Sequence, residues 1–545
     1  LYFQYDALNR RTQKDLLTPK ALGSGDVRYL YDYAGACFGT GRLGYVTSLM
    51  ATTTYCYDAV GHVRATETNL SDGSGNGQGG STSFAYDTLG RLTRVTYPNN
   101  LEEEGIVWPS QAVYEYTGPL LKRVYELSQA YGVGEVYAQY SNYTALGQPG
   151  TVTFGNGLTT TYTYESTTAR LQALRIGSGV SPYPYDQYGY DAKGNVTYIG
   201  DGSMPDGGYK WFQYDAQDRV TSAYHLLGLD SLSWTGNYAY DEIGNLTSST
   251  VCCGVGFTGN PFLGAYVYPA SSSTSVRPHA VSTAGPNTYL YDANGNLAQG
   301  AGRKIDYDVE NHPTCVATTT GACSAASTKT QFFYDGDGGR VAKKKGTDPT
   351  VFYLNQYFEC VGPYAGSGNQ CTKYIWANGQ RIAMRNAPYA TSPGQPQPAP
   401  AVSYYHTDHL GSTRAVTSRA ASGTPVIQQM ASYFEYGASA PDPTFFPNTV
   451  DVHYKFTGQE LDETAGLQVS INPEANGLAF GPGTVVGPVE ESEHVTAYRG
   501  VYALERDRRR AEAAGFRHDV TILYGDTTKD AKGRDAYAMT PTFEV

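Results

Sequence analysis

The chain has 545 residues and a formal net charge of −12, and it contains 49 Tyr and 63 Gly but only 18 Phe and 4 Trp. Its length exceeds what one compact core sustains, which predicts several domains or a repeat array. The chain is acidic overall, and its sequence shows no basic stripe of the kind that nucleic-acid-binding proteins carry. No uncharged apolar run approaches the roughly 18 residues of a membrane-spanning helix. Abundant Tyr and Gly favour strands joined by tight turns.

A short pattern recurs along most of the chain: Tyr-Asp, any two residues, Gly, then Asn or Arg and an apolar residue. The start of the chain joins the series, because residues 3–7 match residues 212–216. A self-similar unit of this kind predicts a repeat architecture. The four clearest copies place their Tyr, Asp and Gly at Tyr86, Asp87 and Gly90, at Tyr190, Asp191 and Gly194, at Tyr240, Asp241 and Gly244, and at Tyr291, Asp292 and Gly295.

Each unit is predicted to be a β-hairpin. Residues two apart share one face of a strand, so Phe84 and Tyr86 belong to an aromatic stripe. Asp87 opens a turn by accepting hydrogen bonds from the backbone ahead of it, and Gly90 takes a left-handed conformation. Because a lone hairpin is marginal in water, the units should associate into one long sheet whose twist makes it coil. The expected fold is mainly β, a hairpin array coiled into a hollow shell, with a small α/β C-terminal segment.

The array continues through less regular copies, such as residues 333–340, to about residue 400. Two stretches interrupt its pattern and are rich in Ser, Gly and Asn or in Pro, at residues 71–83 and 388–400. Their composition predicts surface loops.

Four cysteines flank two further loops, Cys315 with Cys323 and Cys360 with Cys371. Either pair could staple the base of its loop as a disulfide. Free buried thiols are the alternative, and the sequence leaves this choice open. A zinc site is less expected, because no Cys-x2-Cys pair matches a second one. If the bridges form, the protein meets an oxidising compartment.

Two longer motifs replace the repeat near its end. Residues 404–414 read YYHTDHLGSTR, and residues 456–467 read FTGQELDETAGL. Together with the array they resemble the YD repeats and the Rhs-associated core of Rhs proteins, which are related to the TcC components of Tc toxins and to teneurins. The resemblance implies a β-shell that the core segment closes, without a cofactor. The core signature in this chain comprises His406, Asp408, His409 and Gly411.

The resemblance also implies a division of the chain. Residues 1–400 would form the shell, residues 401–467 a closing segment, and residues 468–545 a variable segment that is a toxin or its first part. After Leu467 the sequence departs from the family pattern, so no aspartates for the family's self-cleavage are assigned. His406 and His409 could ligate a metal, but they would point to opposite faces of a strand, so we expect no metal site.

Composition changes at residue 468, since residues 468–545 contain 9 Lys or Arg and 12 Asp or Glu. Residues 500–515 favour a helix, and residues 520–524 favour a short strand. The triplet around Arg499 resembles the first-arginine motif of arginine-type ADP-ribosyltransferases, which would make Arg499 a catalytic residue that contacts NAD. The Ser-Thr-Ser and Glu-x-Glu motifs of that family do not follow, so a structural arginine is the alternative.

The leading functional hypothesis is a polymorphic-toxin carrier used in bacterial competition. Its shell would enclose the chain's own C-terminal segment as cargo. Expected partners are a secretion or delivery apparatus and an immunity protein, whereas nucleic-acid binding by the shell and a membrane span are not expected. The protein would be secreted or delivered to a target cell, although no export signal is visible in this sequence. The alternatives are a surface adhesin that binds glycans and an ADP-ribosyltransferase-like enzyme in the tail.

Overall fold

A computed structural model of the chain describes most of the repeat array and the closing segment. For residues beyond 462 it describes only the backbone of short strands. The described residues are 1–21, 23–33, 37–98, 111–128, 132–177, 183–201, 208–227, 232–252, 264–270, 278–319, 321–362, 370–387, 401–433, 435, 437, 450, 452–462, 467–469, 478–480, 522–529 and 535–541.

One antiparallel sheet of 35 strands accounts for nearly all of this structure. The first twelve strands are β1 (Tyr2–Tyr5), β2 (Arg11–Asp15), β3 (Val27–Tyr31), β4 (Leu43–Thr47), β5 (Ala51–Tyr57), β6 (Val63–Ser71), β7 (Gly77–Tyr86), β8 (Leu92–Thr96), β9 (Gln111–Thr117), β10 (Leu120–Ser128), β11 (Gly132–Ser141) and β12 (Thr151–Phe154). The next twelve are β13 (Thr159–Tyr164), β14 (Leu171–Ile176), β15 (Tyr185–Tyr190), β16 (Val196–Asp201), β17 (Gly208–Tyr214), β18 (Val220–Leu227), β19 (Leu232–Tyr240), β20 (Leu246–Cys252), β21 (Gly264–Val267), β22 (Thr283–Ala284), β23 (Asn287–Tyr291) and β24 (Leu297–Gly300). The last eleven are β25 (Arg303–Tyr307), β26 (Pro313–Ala317), β27 (Thr330–Tyr334), β28 (Arg340–Lys345), β29 (Val351–Asn355), β30 (Phe358–Val361), β31 (Gln370–Ala377), β32 (Gln380–Ala387), β33 (Ala401–Thr407), β34 (Thr413–Arg419) and β35 (Pro425–Met430).

The strands follow one another as an uninterrupted meander. Each strand from β1 to β34 pairs antiparallel with the strand that follows it in the chain. No pairing joins β35 back to β1 among the described residues, so the sheet stays open. The predicted hairpin array is confirmed in this form.

Outside the large sheet the described elements are few. A three-stranded sheet contains β36 (Glu460–Asp462), β37 (Leu467–Val469) and β38 (Leu478–Phe480), and a hairpin contains β39 (Ile522–Lys529) and β40 (Asp535–Pro541). Short 3-10 turns lie at Cys323–Ala325 and Phe456–Gly458. The strand predicted at residues 520–524 overlaps β39, whereas the helix predicted at residues 500–515 falls outside the described residues.

The aspartate of each repeat shapes the turn that follows it. In the unit of β7 and β8, Asp87 Oδ1 accepts hydrogen bonds from the backbone N–H groups of Leu89 and Arg91, at 2.9 and 3.0 Å. Its Oδ2 accepts a bond of 2.7 Å from the Arg91 side chain. Gly90 has a φ of +77°, which favours glycine. The strand register shifts between Ala85 and Tyr86, so the turn begins with a β-bulge.

The tyrosine of each repeat ties its unit to the preceding one. Its hydroxyl donates to the carbonyl at the start of the returning strand one hairpin earlier, which gives the buried phenol the partner it needs. The Tyr86 hydroxyl donates to Val63 at 3.0 Å, and Tyr116 donates to Leu92 at 2.9 Å. The guanidinium of Arg91 lies 4.3 Å from the Tyr116 ring centroid, a cation–π distance. The same tyrosine-to-carbonyl bond recurs at Tyr57, Tyr143, Tyr164, Tyr190, Tyr214, Tyr240, Tyr268, Tyr291, Tyr307 and Tyr334.

The sheet coils until its later strands touch its earlier ones. Strand β29 contacts β7, and β32 contacts β11, which are offsets of 22 and 21 strands. Thr350 donates to Asp72 across this contact at 2.9 Å, and the Tyr97 hydroxyl donates to the carbonyl of Tyr374 at 2.9 Å. One buried apolar cluster also combines residues from both ends of the contact, because it holds Val95 together with Phe352. Packing therefore fixes the coil as well as the sheet.

One loop prediction is wrong in part. Residues 77–83, within the stretch predicted as a loop, belong to β7 and pair with β6, for example Gly79 with Asn69. Glycine removes the side chains that would identify a strand in the sequence, but its backbone still completes the ladder. The loop predicted at residues 388–400 lies outside the described residues.

The turn aspartate is expected to govern the local stability of its hairpin. Asp241 Oδ1 accepts the N–H of Asn245 at 2.8 Å, and its Oδ2 accepts the Asn245 side-chain amide at 2.7 Å. Asp241→Ala removes these acceptors from a buried asparagine, so the free energy of local opening should fall by about 1–3 kcal/mol. Hydrogen exchange of peptides that cover residues 238–249 measures this loss. Glu242→Ala, at an exposed position of the same turn, is the control, and equal exchange in both variants would refute the role.

Candidate functional site: the closing segment

The closing segment, residues 401–467, begins with a hairpin built like a repeat unit. Asp408 Oδ1 accepts the backbone N–H groups of Leu410 and Ser412, both at 2.8 Å. Gly411 has a φ of +81°. Within the core signature, Asp408 and Gly411 are thus turn residues that correspond to the Asp and Gly of a repeat.

His406 joins this hairpin to the earlier part of the coil. It is 1% exposed, and its Nε2 lies 2.8 Å from the Thr417 hydroxyl while its Nδ1 lies 3.3 Å from that of Thr160. The imidazole also meets the Phe154 ring edge to face, at 4.4 Å between centroids. Burial lowers the pKa of His406 to about 3, so the ring is neutral near pH 7. Phe154 and Thr160 lie on β12 and β13, so this contact spans the coil.

His409 lies in the turn and has different neighbours. Its ring centroid is 4.7 Å from that of Tyr188 on β15. Together with Lys210 and Arg414 these residues line a cavity of ≈ 40 Å³, which has room for a few water molecules. His406 is not among the residues that line this cavity. The structure therefore assigns the two signature histidines to different surroundings.

The strap, which comprises residues 431–433, 435 and 437, follows β35 and contacts β18 and β19 through Glu435. Its Glu435 is 6% exposed, contacts Nε2 of His225 and accepts a hydrogen bond of 2.7 Å from the Tyr238 hydroxyl. Burial raises the pKa of the Glu435 carboxyl, but the contact with the His225 ring and the hydrogen bond from Tyr238 outweigh burial and lower it to about 2. Burial lowers the pKa of His225 itself, so the contact is a hydrogen bond between a carboxylate and a neutral imidazole. Glu435 is therefore ionised and fixed at neutral pH.

Two cations link the strap and β34 to further strands of the first turn. Lys210 on β17 donates to the Tyr433 carbonyl at 3.0 Å and to the Ser432 hydroxyl at 3.2 Å. Arg414 donates to the Ala431 carbonyl at 2.6 Å and forms an ion pair of 3.4 Å with Asp186 on β15. The contacts of Lys210 with the strap and of Arg414 with Asp186 join residues that are more than 200 positions apart in the chain.

Glu460, in the second family-like motif, is the most enclosed carboxylate of the closing segment. It is 1% exposed and pairs with Arg340 and Lys343 of β28. The Tyr353 hydroxyl donates to it at 3.0 Å. Burial raises the pKa of Glu460, but the charges of Arg340 and Lys343 outweigh burial and lower it to about 2. A buried carboxylate needs such partners, so displacement of the motif would separate Glu460 from the two cations that neutralise it.

A second carboxylate lies near this ion pair, and its pKa is shifted in the opposite direction. Glu359 on β30 is 5% exposed, and the hydroxyls of Tyr374 and Tyr454 donate to it at 2.6 and 3.3 Å. Burial raises the pKa of Glu359, and the nearby charge of Glu460 adds to the effect. The Arg381 guanidinium lies 3.4 Å from the Tyr454 ring centroid. The closing segment is thus attached through a mixture of charged and aromatic contacts.

These contacts are suited to holding the closing segment in place, because most of them join it to earlier strands of the wall. Four of the residues involved are not identified by the sequence analysis: Lys210, His225, Glu359 and Glu435. They lie outside both family-like motifs, and the coil brings them to partners that are distant in the sequence. Burial distinguishes them from the other charged residues of the repeats, and burial is not visible in the sequence.

Six of the described cysteines form three disulfides. Cys315 bonds to Cys323 and Cys360 bonds to Cys371, with Cα separations of 6.0 and 4.1 Å. Cys37 bonds to Cys56, with a Cα separation of 5.1 Å. The first two bridges are the pairs that the sequence offers as possible disulfides, and each closes the base of its loop.

Arg499 lies outside the described residues. Its catalytic role and the use of NAD stay predictions, as do the boundaries at residues 400 and 467. In the part of the chain that the structure describes, no helix has the length and apolar character to cross a membrane.

Comparisons with known proteins support the fold. No protein-family model and no curated protein matches the sequence. Among solved structures, the crystal structure of TcdB2-TccC3-Cdc42 matches over 86% of this chain, at 18% identity and a TM-score of 0.66. The crystal structure of TcdB2-TccC3 matches over 81%, at 17% identity and a TM-score of 0.63.

The Photorhabdus luminescens Tc holotoxin pore matches over 86% of this chain, at 17% identity and a TM-score of 0.64. The fold is that of the Rhs shell of Tc toxins. At the level of the fold, the resemblance to Rhs and YD-repeat proteins is therefore confirmed. The chain spans only 23–24% of the length of those solved chains.

Loss of the Glu460 charge should loosen the closing segment of the Rhs shell. Glu460→Gln leaves Arg340 and Lys343 buried without their counter-ion, which should cost about 3–5 kcal/mol. Hydrogen exchange of peptides from residues 452–462 and 340–353 should rise together. Glu67→Gln, at an exposed position, should leave both regions unchanged. Unaltered protection in Glu460→Gln would show that the ion pair does not hold the segment.

The neutral state of His406 gives a pH dependence with a defined sign. The folded pKa of about 3 lies below the ordinary 6.5, so the unfolded chain binds the extra proton between these values. Stability should therefore be full above pH 6.5 and decrease as the pH falls towards 3. Urea unfolding of the wild type and of His406→Asn between pH 6.5 and 5 measures this slope. The variant should show the shallower slope, and equal slopes would exclude His406 as the cause.

Proposed function

We propose that this chain is the wall of an Rhs-type toxin carrier, which encloses a toxic C-terminal segment that begins near residue 468. The observation that carries the proposal is the coiling of one continuous sheet, with contacts 21 and 22 strands apart. At about 4.8 Å per strand, ~22 strands give a circumference of roughly 105 Å. A ring of that size is about 33 Å across, so space remains inside after the inward side chains are subtracted.

The attachments of the closing segment support the same proposal. Arg414 with Asp186, and Glu435 with His225 and Tyr238, join the last strands to the first turn of the coil, whereas Glu460 joins them to the later strand β28. A wall that retains a cargo needs its free end fixed, because the sheet itself stays open. The similarity of fold to TcdB2-TccC3 complexes of Tc toxins agrees with a carrier. Enclosure would act by steric exclusion, without a chemical step in the wall.

Protection of the C-terminal segment from protease tests the proposal. The segment contains nine Lys or Arg residues, which are trypsin sites. In the intact, full-length chain, fragments from residues 499–534 should appear slowly, because the wall excludes the enzyme. After the chain is unfolded in urea and the urea is diluted in the presence of trypsin, the same fragments should appear at once. Time courses by mass spectrometry give both rates.

Glu460→Gln supplies the matched variant for this experiment, and Glu67→Gln supplies its control. If the fastened end retains the cargo, only the first variant should release tail fragments faster than the wild type. Equal cleavage of the tail in native and unfolded protein would contradict enclosure. Cell or glycan binding that survives deletion of residues 468–545 would instead favour the adhesin.

A further inference from the structure

Three side chains of types that ligate metal ions meet at the base of the loop between β26 and β27. They are Asp306 on β25, Cys315 on β26 and Cys323 in the 3-10 turn that follows. One carboxylate oxygen and the two sulfur atoms all lie within 4.8 Å of one another. The two cysteines form a disulfide with a Cα separation of 6.0 Å.

The strand ladder places two of these residues side by side without help from the disulfide. Asp306 and Cys315 are direct partners in the antiparallel ladder of β25 and β26, so their side chains lie on one face. Cys323 is fully buried, and Cys315 is 6% exposed. With Ala317 and Ala326 they form a small apolar cluster of their own. Asp306 is half-buried and forms the more open side of the group.

The aspartate departs from the repeat pattern at this one position. The residue before the repeat tyrosine is uncharged in the four clearest units, where it is Ala85, Gly189, Ala239 and Leu290. The hairpin therefore does not require a carboxylate here. Among the described residues, no hydrogen bond or ion pair to the Asp306 carboxylate is found. Neither the hairpin pattern nor a contact with a described residue therefore accounts for the carboxylate beside the two cysteines.

We propose that, once the disulfide is reduced, Cys315, Cys323 and Asp306 bind a divalent ion of the zinc class. Thiolate sulfur and carboxylate oxygen are ligands that Zn²⁺ accepts, and three protein ligands with water in the fourth position make a tetrahedral site. Thiolates are required, and the bound cation stabilises them. The site would hold the same loop that the disulfide holds under oxidising conditions.

The conversion of the disulfide into the metal site balances in atoms and electrons. Two equivalents of a thiol reductant cleave the sulfur–sulfur bond, so that each cysteine gains one hydrogen and the two reductant molecules become joined by a disulfide. Binding of the metal then forms two metal–sulfur bonds and releases two protons. Reoxidation by a disulfide reverses both steps and expels the ion. The inference concerns the wall alone and does not depend on whether a cargo is enclosed.

Co²⁺ is the probe, because its thiolate-to-metal charge-transfer band reports bound sulfur directly. Full-length protein, reduced and kept without oxygen, should gain this band with one Co²⁺ per chain, and Zn²⁺ should displace it. The oxidised protein should show no band. Absence of the band from the reduced wild type at micromolar Co²⁺ would overturn the proposal without recourse to any variant.

Three variants assign the ligands. Cys315→Ser with Cys323→Ser should abolish the band, whereas the matched pair Cys360→Ser with Cys371→Ser should retain it. Asp306→Asn keeps size and removes the charge, so it should weaken Co²⁺ binding about tenfold or more while leaving the disulfide form folded. A band that persists in the first pair, or an affinity that Asp306→Asn does not change, would place the metal elsewhere and refute the site.

Discussion

The structure depends on one small set of hydrogen bonds that repeats along the chain. A carboxylate holds the backbone N–H groups two and four residues after it, as Asp87 holds those of Leu89 and Arg91. This bonding turns the chain sharply and adds a bulge at the same point of each hairpin. Bulges strengthen strand twist, and repeated twist of one sign is what bends a long sheet into a coil. The curvature of the wall is therefore set locally.

The wall also needs contacts between successive turns of the coil, and these differ in kind. Within the array, neighbouring units are joined by tyrosine hydroxyls and backbone hydrogen bonds. These contacts are the same from unit to unit, so they do not distinguish one repeat from another. Between turns, several contacts are individual and buried, such as the ion pair of Arg414 with Asp186 and the hydrogen bond of Glu435 with His225. Buried ion pairs add little net stability but penalise any arrangement in which one partner is missing. They are suited to fixing which strands meet, a task that uniform repeats cannot perform.

The sequence allowed the array to be predicted, because each unit carries its turn chemistry in adjacent residues. Asp87 and Gly90 identify a turn without knowledge of the rest of the chain. The same logic failed at residues 77–83, where glycines hide a strand whose partner is β6. It also could not find Glu435 and His225, since only the coil brings them together over a separation of 210 residues. Local signals predict the hairpins, whereas the attachments follow from a curvature that accumulates over many of them.

The contacts between turns also impose an order of assembly. Thr350 bonds to Asp72 over 278 residues, and Lys14 reaches Gly336 over 322. A chain made from its amino end therefore presents a finished first turn before the strands that will cover it exist. Side chains of that turn that are buried in the finished fold, such as Phe154 and His225, remain exposed to solvent until their partners His406 and Glu435 have been synthesised. Slow synthesis or slow winding would prolong this exposure, and a helper that shields nascent β-surfaces would shorten it.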